Sequence, residues 1–420
     1  MSCRAVALAI SFLTLIATVA VARNDAHAFG TWATAAQPAP PGRAETFRDQ
    51  TVRLIVHVSA GGKSLRFRLS NAYGDQPLSI NRAHAARRAT GADIDPSSDR
   101  PLRFGGKPSV TIAAGAQVWS DPVTLEVPAS SDLAVSLQFA VETRATTSHA
   151  LALQTSYVSQ PGDHTADSVF PVSRTLSTWP FLTGVDVVAA PHGAAIVAFG
   201  SSHTDGDGST DDANRRWPDL LAARLQKSGA ALGVLNEGII GNRLLNDSPL
   251  SAASPFGAML GESGMRRFER DVLSQSGVKY VVMGLGVNDI LFPSFPFTPP
   301  TETVTAQDLI AGYRELVARA HAHGIRVIGT TIPPFEGAKF EGFGMNLELY
   351  TAERERTRAA LNEWIRQGGG FDAVVDFDAV LRDPQRPTRL SPAFAIEDGL
   401  HVNDAGNAAQ ADAFPLEFFR

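Results

Sequence analysis

The sequence predicts an α/β fold, a parallel sheet with helices on both faces, preceded by an all-β sandwich. Apolar and polar residues alternate between residues 50 and 141, and after Pro191 the pattern changes to short, fully apolar runs separated by amphipathic segments. The composition agrees with both halves: 44% hydrophobic and 19% charged residues, with 36 Gly and 26 Pro, suit a globular chain rich in turns. At 420 residues the chain exceeds what one core usually supports. The expected organisation is a processed leader over residues 1–28, a β-sandwich domain and linker over 29–190, and an α/β domain over 191–420.

The leader reads as a signal peptide: Arg4, an uncharged apolar run from Ala5 to Ala22, then Arg23, Asn24, Asp25 and the small-residue site Ala26-His27-Ala28. Cleavage leaves Phe29 first, and the expected location is periplasmic or extracellular, with no stable membrane insertion afterwards. An uncleaved anchor is the alternative, since the run is near the lower length for spanning a bilayer. The only cysteine, Cys3, leaves with the leader, so the mature chain has no intramolecular disulfide, thiolate nucleophile or Cys-based metal site.

In the β half, Val52, Leu54, Val56 and Val58, then Leu65, Phe67 and Leu69, mark the first two strands, with Gly61-Gly62 as the turn between them. Asn71-Ala72-Tyr73-Gly74-Asp75 breaks the pattern, and further strands follow at 109–112, 123–127 and 133–139. The sandwich is expected to end near Tyr157, with an irregular stretch through Gly162, Trp179 and Pro180 as the link.

In the second half, 194–199, 278–285, 326–330 and 373–377 are too short for helices and rich in β-branched residues, as in buried parallel strands; another strand lies at 234–236. Helices are expected at 218–226, 306–321, 351–366 and 405–413, most with Gly just beyond the end. Ligands of such folds bind at the carboxyl ends of the strands. Four segments sit there. Gly200-Ser201-Ser202-His203-Thr204-Asp205-Gly206 follows the first strand, and alone it reads most simply as a turn and helix cap. Glu237-Gly238-Ile239-Ile240-Gly241-Asn242-Arg243 is another Gly-bearing loop, and Gly286-Val287-Asn288-Asp289 places a carboxamide that is either a helix cap or a catalytic donor. Near the C-terminus, Asp398 stands three residues before His401, a spacing that lets the carboxylate fix the ring's tautomer.

In that chain order the four segments resemble the blocks of the SGNH, or GDSL-type, hydrolase superfamily. The resemblance covers about residues 194–420 and rests on Phe-Gly-x-Ser-x-Thr-Asp-Gly, Asn-x-Gly-x-x-Gly-Asn-Arg, Gly-x-Asn-Asp and Asp-x-x-His. With Arg216-Trp217-Pro218 and the segment around Asn362 and Trp364, the chain is similar to bacterial secreted members that carry an N-terminal β-domain. The resemblance implies a flavodoxin-like sheet, Ser202 as nucleophile, His401 as general base and Asp398 as its orienter. It also implies an oxyanion hole of the Ser202 and Gly241 N–H groups and the Asn288 side chain, with no metal or organic cofactor. The family usually has Asp immediately before its serine, where this chain has Ser201. Spacing from Gly200 and to Thr204-Asp205-Gly206 favours Ser202 over Ser201 as nucleophile, and Ser201 is expected to supply weaker hydrogen bonds to the loop. His203 stands where an aliphatic residue is common, and packing beside the site is its expected role.

The formal charge of −6 gives no electrostatic footprint for nucleic acid. Asp205, Asp207, Asp211 and Asp212 superficially suggest calcium, but their spacing is not that of an EF-hand and a solvated loop is expected. His321 and His323, two apart on a helix, do not share a face and are not a metal pair. Residues 292–300, aromatic and proline-rich, are expected either to wall the site or to pack as a surface loop, and the same choice applies to Phe335 and to Phe340-Glu341-Gly342-Phe343. The substrate is then a small-molecule or polysaccharide ester: an acylated carbohydrate to be deacetylated, or a short acyl ester or lysophospholipid. A non-catalytic glycan-binding role is the third reading, and oligomeric state is not legible.

Overall fold

The structure, a computed structural model, describes residues 27–39, 42–188, 192–250 and 253–419. The leader expected over 1–28 lies outside them, apart from His27 and Ala28. Among the described residues no helix is long and apolar enough to cross a membrane.

The N-terminal region is built on two antiparallel sheets packed face to face, flanked by shorter ones, among them a three-stranded sheet of Trp179–Pro180, Thr147–His149 and Gln37–Pro38. One of the two larger sheets joins Phe29–Ala33, Leu182–Val187, Gly62–Ser70 and Gln117–Trp119, with Val123–Val127 also paired to Gly62–Ser70. The other runs Val172–Leu176, Ser156–Pro161, Gln50–Val58, Ser131–Phe139, Arg82–Thr90 and Asp93–Ile94. The alternation explains the core: Val52, Leu54 and Val56 point inward from the second sheet, and Leu65, Phe67 and Leu69 meet them from the first.

Two expectations are corrected. Residues 59–61 join strands that lie in different sheets, so the glycines there make a sheet-to-sheet crossing and not a hairpin. A Cβ on Gly61 would lie 2.6 Å from the Val127 carbonyl oxygen, and this close approach is what demands glycine. The stretch beyond Tyr157 is not irregular: Ser156–Pro161 pairs with Gln50–Val58, and Leu182–Val187 lies inside the first sheet.

The C-terminal region holds a five-stranded parallel sheet in the order Leu232–Gly238, Ala194–Gly200, Val278–Gly284, Arg326–Thr330, Ala373–Val375. Strand Ala194–Gly200 is apolar throughout because both faces are covered. Ala195, Val197 and Phe199 pack on the side of helices Ala306–Ala322 and Ala352–Arg366, and Ala194, Ile196 and Ala198 pack on the side of helices Trp217–Lys227 and Asp404–Asp412. The order reverses at Ala194–Gly200, which opens a crevice beyond its carboxyl end. Strand Phe29–Ala33 belongs to the sandwich yet lies against the edge of this sheet: the Gly30 N–H donates to the Ser276 carbonyl at 2.9 Å, and a Cβ on Gly233 would sit 2.0 Å from the Gly30 oxygen.

Candidate active site

Ser202 begins a one-turn helix, Ser202–Asp205, directly after strand Ala194–Gly200. Gly200 makes the turn possible, since a Cβ there would lie 2.1 Å from Thr204 Oγ1. The buried Ser202 Oγ is 2.8 Å from His401 Nε2, and His401 Nδ1 is 2.5 Å from Asp398 Oδ2. The second Asp398 oxygen accepts the backbone N–H groups of Leu400 at 2.8 Å and His401 at 2.9 Å. Residues 199 positions apart are thus brought into one hydrogen-bonded line.

Burial opposes charge on both members of the His–Asp pair, yet their hydrogen bond outweighs it. Asp398 is held down to about 2 by its bonds to the His401 ring and to the two N–H groups, against burial. On His401 burial is outweighed by the Asp398 hydrogen bond and the charges of Asp207 and Asp398, so the ring binds a proton more readily than an ordinary histidine. Asp207 is a second carboxylate beside His401, its Oδ2 3.6 Å from His401 Nε2. Burial raises its pKa, partly offset by His401.

Gly241 (φ +69°) turns the loop after Leu232–Gly238, and Asn288 is the second residue of the helix Val287–Leu291 after Val278–Gly284. Asn288 Nδ2 donates to the Asn242 carbonyl at 3.0 Å, which aims the carboxamide along this loop. Ser202, Gly241, Asn288, Asp398 and His401 all border a single cavity of about 290 Å³. Arg267, fully buried, fixes the edges of the crevice: it donates to the carbonyls of Gly200 at 2.9 Å and Glu237 at 2.8 Å and to Asn242 Oδ1 at 2.9 Å.

Ser201 departs from expectation. Its Oγ is buried without a hydrogen-bond partner among the described residues and borders a separate small cavity with Thr330, Thr331 and Phe377. The loop is held instead by backbone bonds, Thr204 and Asp205 N–H to the Ser201 carbonyl, and by Arg267. His203 packs beside the site as expected, its ring 5.5 Å from that of His401 and its Nε2 donating to the Leu400 carbonyl at 3.0 Å. Burial and then the neighbouring His401 push its pKa down to about 3, so it stays neutral.

The acidic stretch is not one cluster. Asp205 faces His149 and the Ile240 N–H, Asp212 accepts from Gln154 and Thr155, and Asp207 faces His401. Among the described residues no three His, Cys, Asp or Glu side chains converge as a metal site. His321 pairs with Asp372 and His323 with the Arg319 carbonyl.

Of the aromatic segments, Phe292, Phe295 and Phe340 line the cavity, whereas Phe335 is buried in the core against Tyr350. The hairpin Lys339–Gly342 and Met345–Glu348 carries Phe340, and Phe343 at its tip is 53% exposed and edge-on to Phe256. Phe256, Met259 and Leu260 complete the apolar wall from a loop to which sequence periodicity gave no signal.

Residues 196–414 match the family described as GDSL-like lipase/acylhydrolase. Solved structures similar to this chain include a carbohydrate acetylesterase family member from Sinorhizobium meliloti (20% identity, 54% of this chain and 96% of that one, TM-score 0.39). Others are a lipase/acylhydrolase from Enterococcus faecalis (18%, 52% and 92%, 0.36) and a GDSL-like lipase from Bacteroides thetaiotaomicron VPI-5482 (18%, 52% and 84%, 0.34). The comparison with curated proteins finds no match. With the family matched over half of its length, the chain belongs to the GDSL-like lipase/acylhydrolases and is a carboxylic ester hydrolase.

Proposed function

We propose that the enzyme hydrolyses esters with an apolar acyl group, with Ser202 as nucleophile, His401 as general base and acid, and Asp398 as the group that orients His401. The observation that carries this reading is the line Asp398–His401–Ser202, with contacts of 2.5 and 2.8 Å, opening on a cavity whose walls are aromatic and aliphatic. His401 Nε2 takes the proton as Ser202 Oγ bonds to the ester carbonyl carbon, and Asp398 stabilises the imidazolium. The oxyanion meets the N–H groups of Ser202 and Gly241 and the Asn288 amide. Collapse returns the proton to the leaving alkoxide and leaves an acyl-serine. Water, deprotonated by His401, attacks that ester and releases the acid.

The choice of acyl group rests on the walls. Phe256, Met259, Leu260, Leu291, Phe292 and Phe295 offer apolar contact far beyond the two carbons of an acetyl group. Each further methylene buried there is worth about 0.8 kcal/mol. The exposed Lys339 and Glu341, with Asp207, give the same cavity a polar side that suits a hydroxylated alcohol. Export after loss of residues 1–28 belongs to the same proposal. A series of p-nitrophenyl esters from acetate upward, run beside acetylated xylan, tests it. Rising kcat/KM with chain length from acetate is expected, and a preference for the acetylated polysaccharide would overturn the assignment of acyl group.

A further inference from the structure

We infer that His149, a residue of the N-terminal β-region, is a positioning residue for both halves of the active site, an assignment that rests on the reading of Ser202 as nucleophile. His149 ends the short strand Thr147–His149 and lies flat against Trp179, ring centroids 5.8 Å apart. Its side chain is 2% exposed, and both ring nitrogens are engaged. Nδ1 is 3.0 Å from the Ala35 carbonyl oxygen, which can only accept, so this nitrogen carries a hydrogen. Nε2 is 3.0 Å from Asp205 Oδ1. A ring lone pair facing a carboxylate would repel it, so the contact is bonding only with a hydrogen between the two atoms.

Asp205 is the joint on which the site turns. It closes the one-turn helix that Ser202 opens, and its other oxygen accepts the Ile240 N–H at 2.8 Å. Ile240 precedes Gly241, the second backbone donor of the proposed oxyanion hole. One carboxylate therefore ties the nucleophile loop to the oxyanion loop, and His149 fixes that carboxylate from the other region of the molecule. The same β-region segment grips the loop farther along: the Thr155 N–H and Oγ1 each donate to Asp212 at 2.6 Å, and Arg216 donates to the Ala152 carbonyl. These farther bonds hold the loop down without touching Asp205.

This separation makes the assignment testable. Without His149 the buried carboxylate loses its imidazole partner and no longer holds the Ile240 N–H in a fixed place, which displaces the neighbouring Gly241, a group that binds the transition state more than the substrate. With p-nitrophenyl butyrate as the probe, His149→Ala is expected to lower kcat by about 10- to 100-fold with KM near that of the wild type. His149→Gln, which keeps a donor toward Asp205, is expected to recover part of the loss. Asp212→Asn, which weakens the outer grip at a position of positive φ that asparagine tolerates, is expected to lower the melting temperature and leave kcat unchanged. Folded His149→Ala with wild-type kcat would overturn the assignment, as would an equal loss of kcat in Asp212→Asn. If His149→Ala does not fold, His149→Gln decides: reduced kcat at unchanged KM sustains the role, and wild-type kcat ends it. A wild-type enzyme that a fluorophosphonate does not label defeats the Ser202 reading itself, whereas a labelled wild type beside an unimpaired His149 variant defeats only this inference.

Discussion

Both regions bury polar groups, but they finish them differently. In the sandwich, the fully buried Arg53 donates to Ser136 Oγ at 2.8 Å and to the carbonyls of Ala92, His164, Thr165 and Asp167 at 2.9–3.2 Å. The Phe170 ring covers its guanidinium at 4.2 Å. Burial brings its pKa down to about 10, and it remains charged at neutral pH. At the edge of the parallel sheet, Ser202 Oγ touches His401, Asn288 spends one amide hydrogen on Asn242, and both border an open cavity. Arg53, with a full set of partners, holds structure, whereas Ser202 and Asn288 keep bonding capacity toward the cavity in which the proposed chemistry takes place.

Four substitutions sharpen this contrast. The largest effect is expected from Ser202→Ala, which should reduce kcat by about 10⁴-fold or more with little change in melting temperature. Asn288→Ala should follow, with about 10²–10³-fold lost from kcat and substrate affinity largely kept. In the sandwich the expected effect is on stability: Arg53→Met leaves buried carbonyls without donors and should cost about 2–4 kcal/mol in denaturant unfolding, with kcat unchanged in the folded fraction.

The smallest and most diagnostic effect is on pH dependence. The base must be neutral to accept the Ser202 proton, so kcat/KM should rise with pH and reach half its plateau above 6.5, because the Asp398 hydrogen bond and the charges of Asp207 and Asp398 favour the protonated ring against burial. Asp207→Asn removes one of the two carboxylates and should move that midpoint to lower pH with the plateau little changed. An unmoved midpoint would show that Asp207 does not act on the base.

Much of the fold was legible because hydrophobic period is a local fact. Val52, Leu54 and Val56 announce a strand with one apolar face, and 194–199 a strand covered on both faces, although Thr51, Arg53 and Ile55 on the other face of the first are buried too. Leu182–Val187 was missed because Thr183, Gly184 and Asp186 interrupt the apolar run, while its burial comes from partners far away in sequence; Asp186 is satisfied by Arg66 at 2.9 Å. In the site, Ser202, Gly241, Asn288, Asp398 and His401 were legible through a resemblance of motifs, each being ordinary alone. Phe256, Met259 and Leu260 were not, since a loop becomes a wall only by tertiary placement. His149 carried no signal: a lone histidine in a strand gives no hint of a carboxylate 56 positions away. The Ser201 contacts were mistaken because spacing cannot tell which way a small side chain turns.

The central claim, that Ser202 is the nucleophile of a serine hydrolase built on this edge, is tested most directly by labelling with a fluorophosphonate and locating the adduct by mass spectrometry. The geometry predicts one adduct, on Ser202, lost in both Ser202→Ala and His401→Ala. An adduct on Ser201, or labelling of Ser202→Ala equal to that of the wild type, would contradict it.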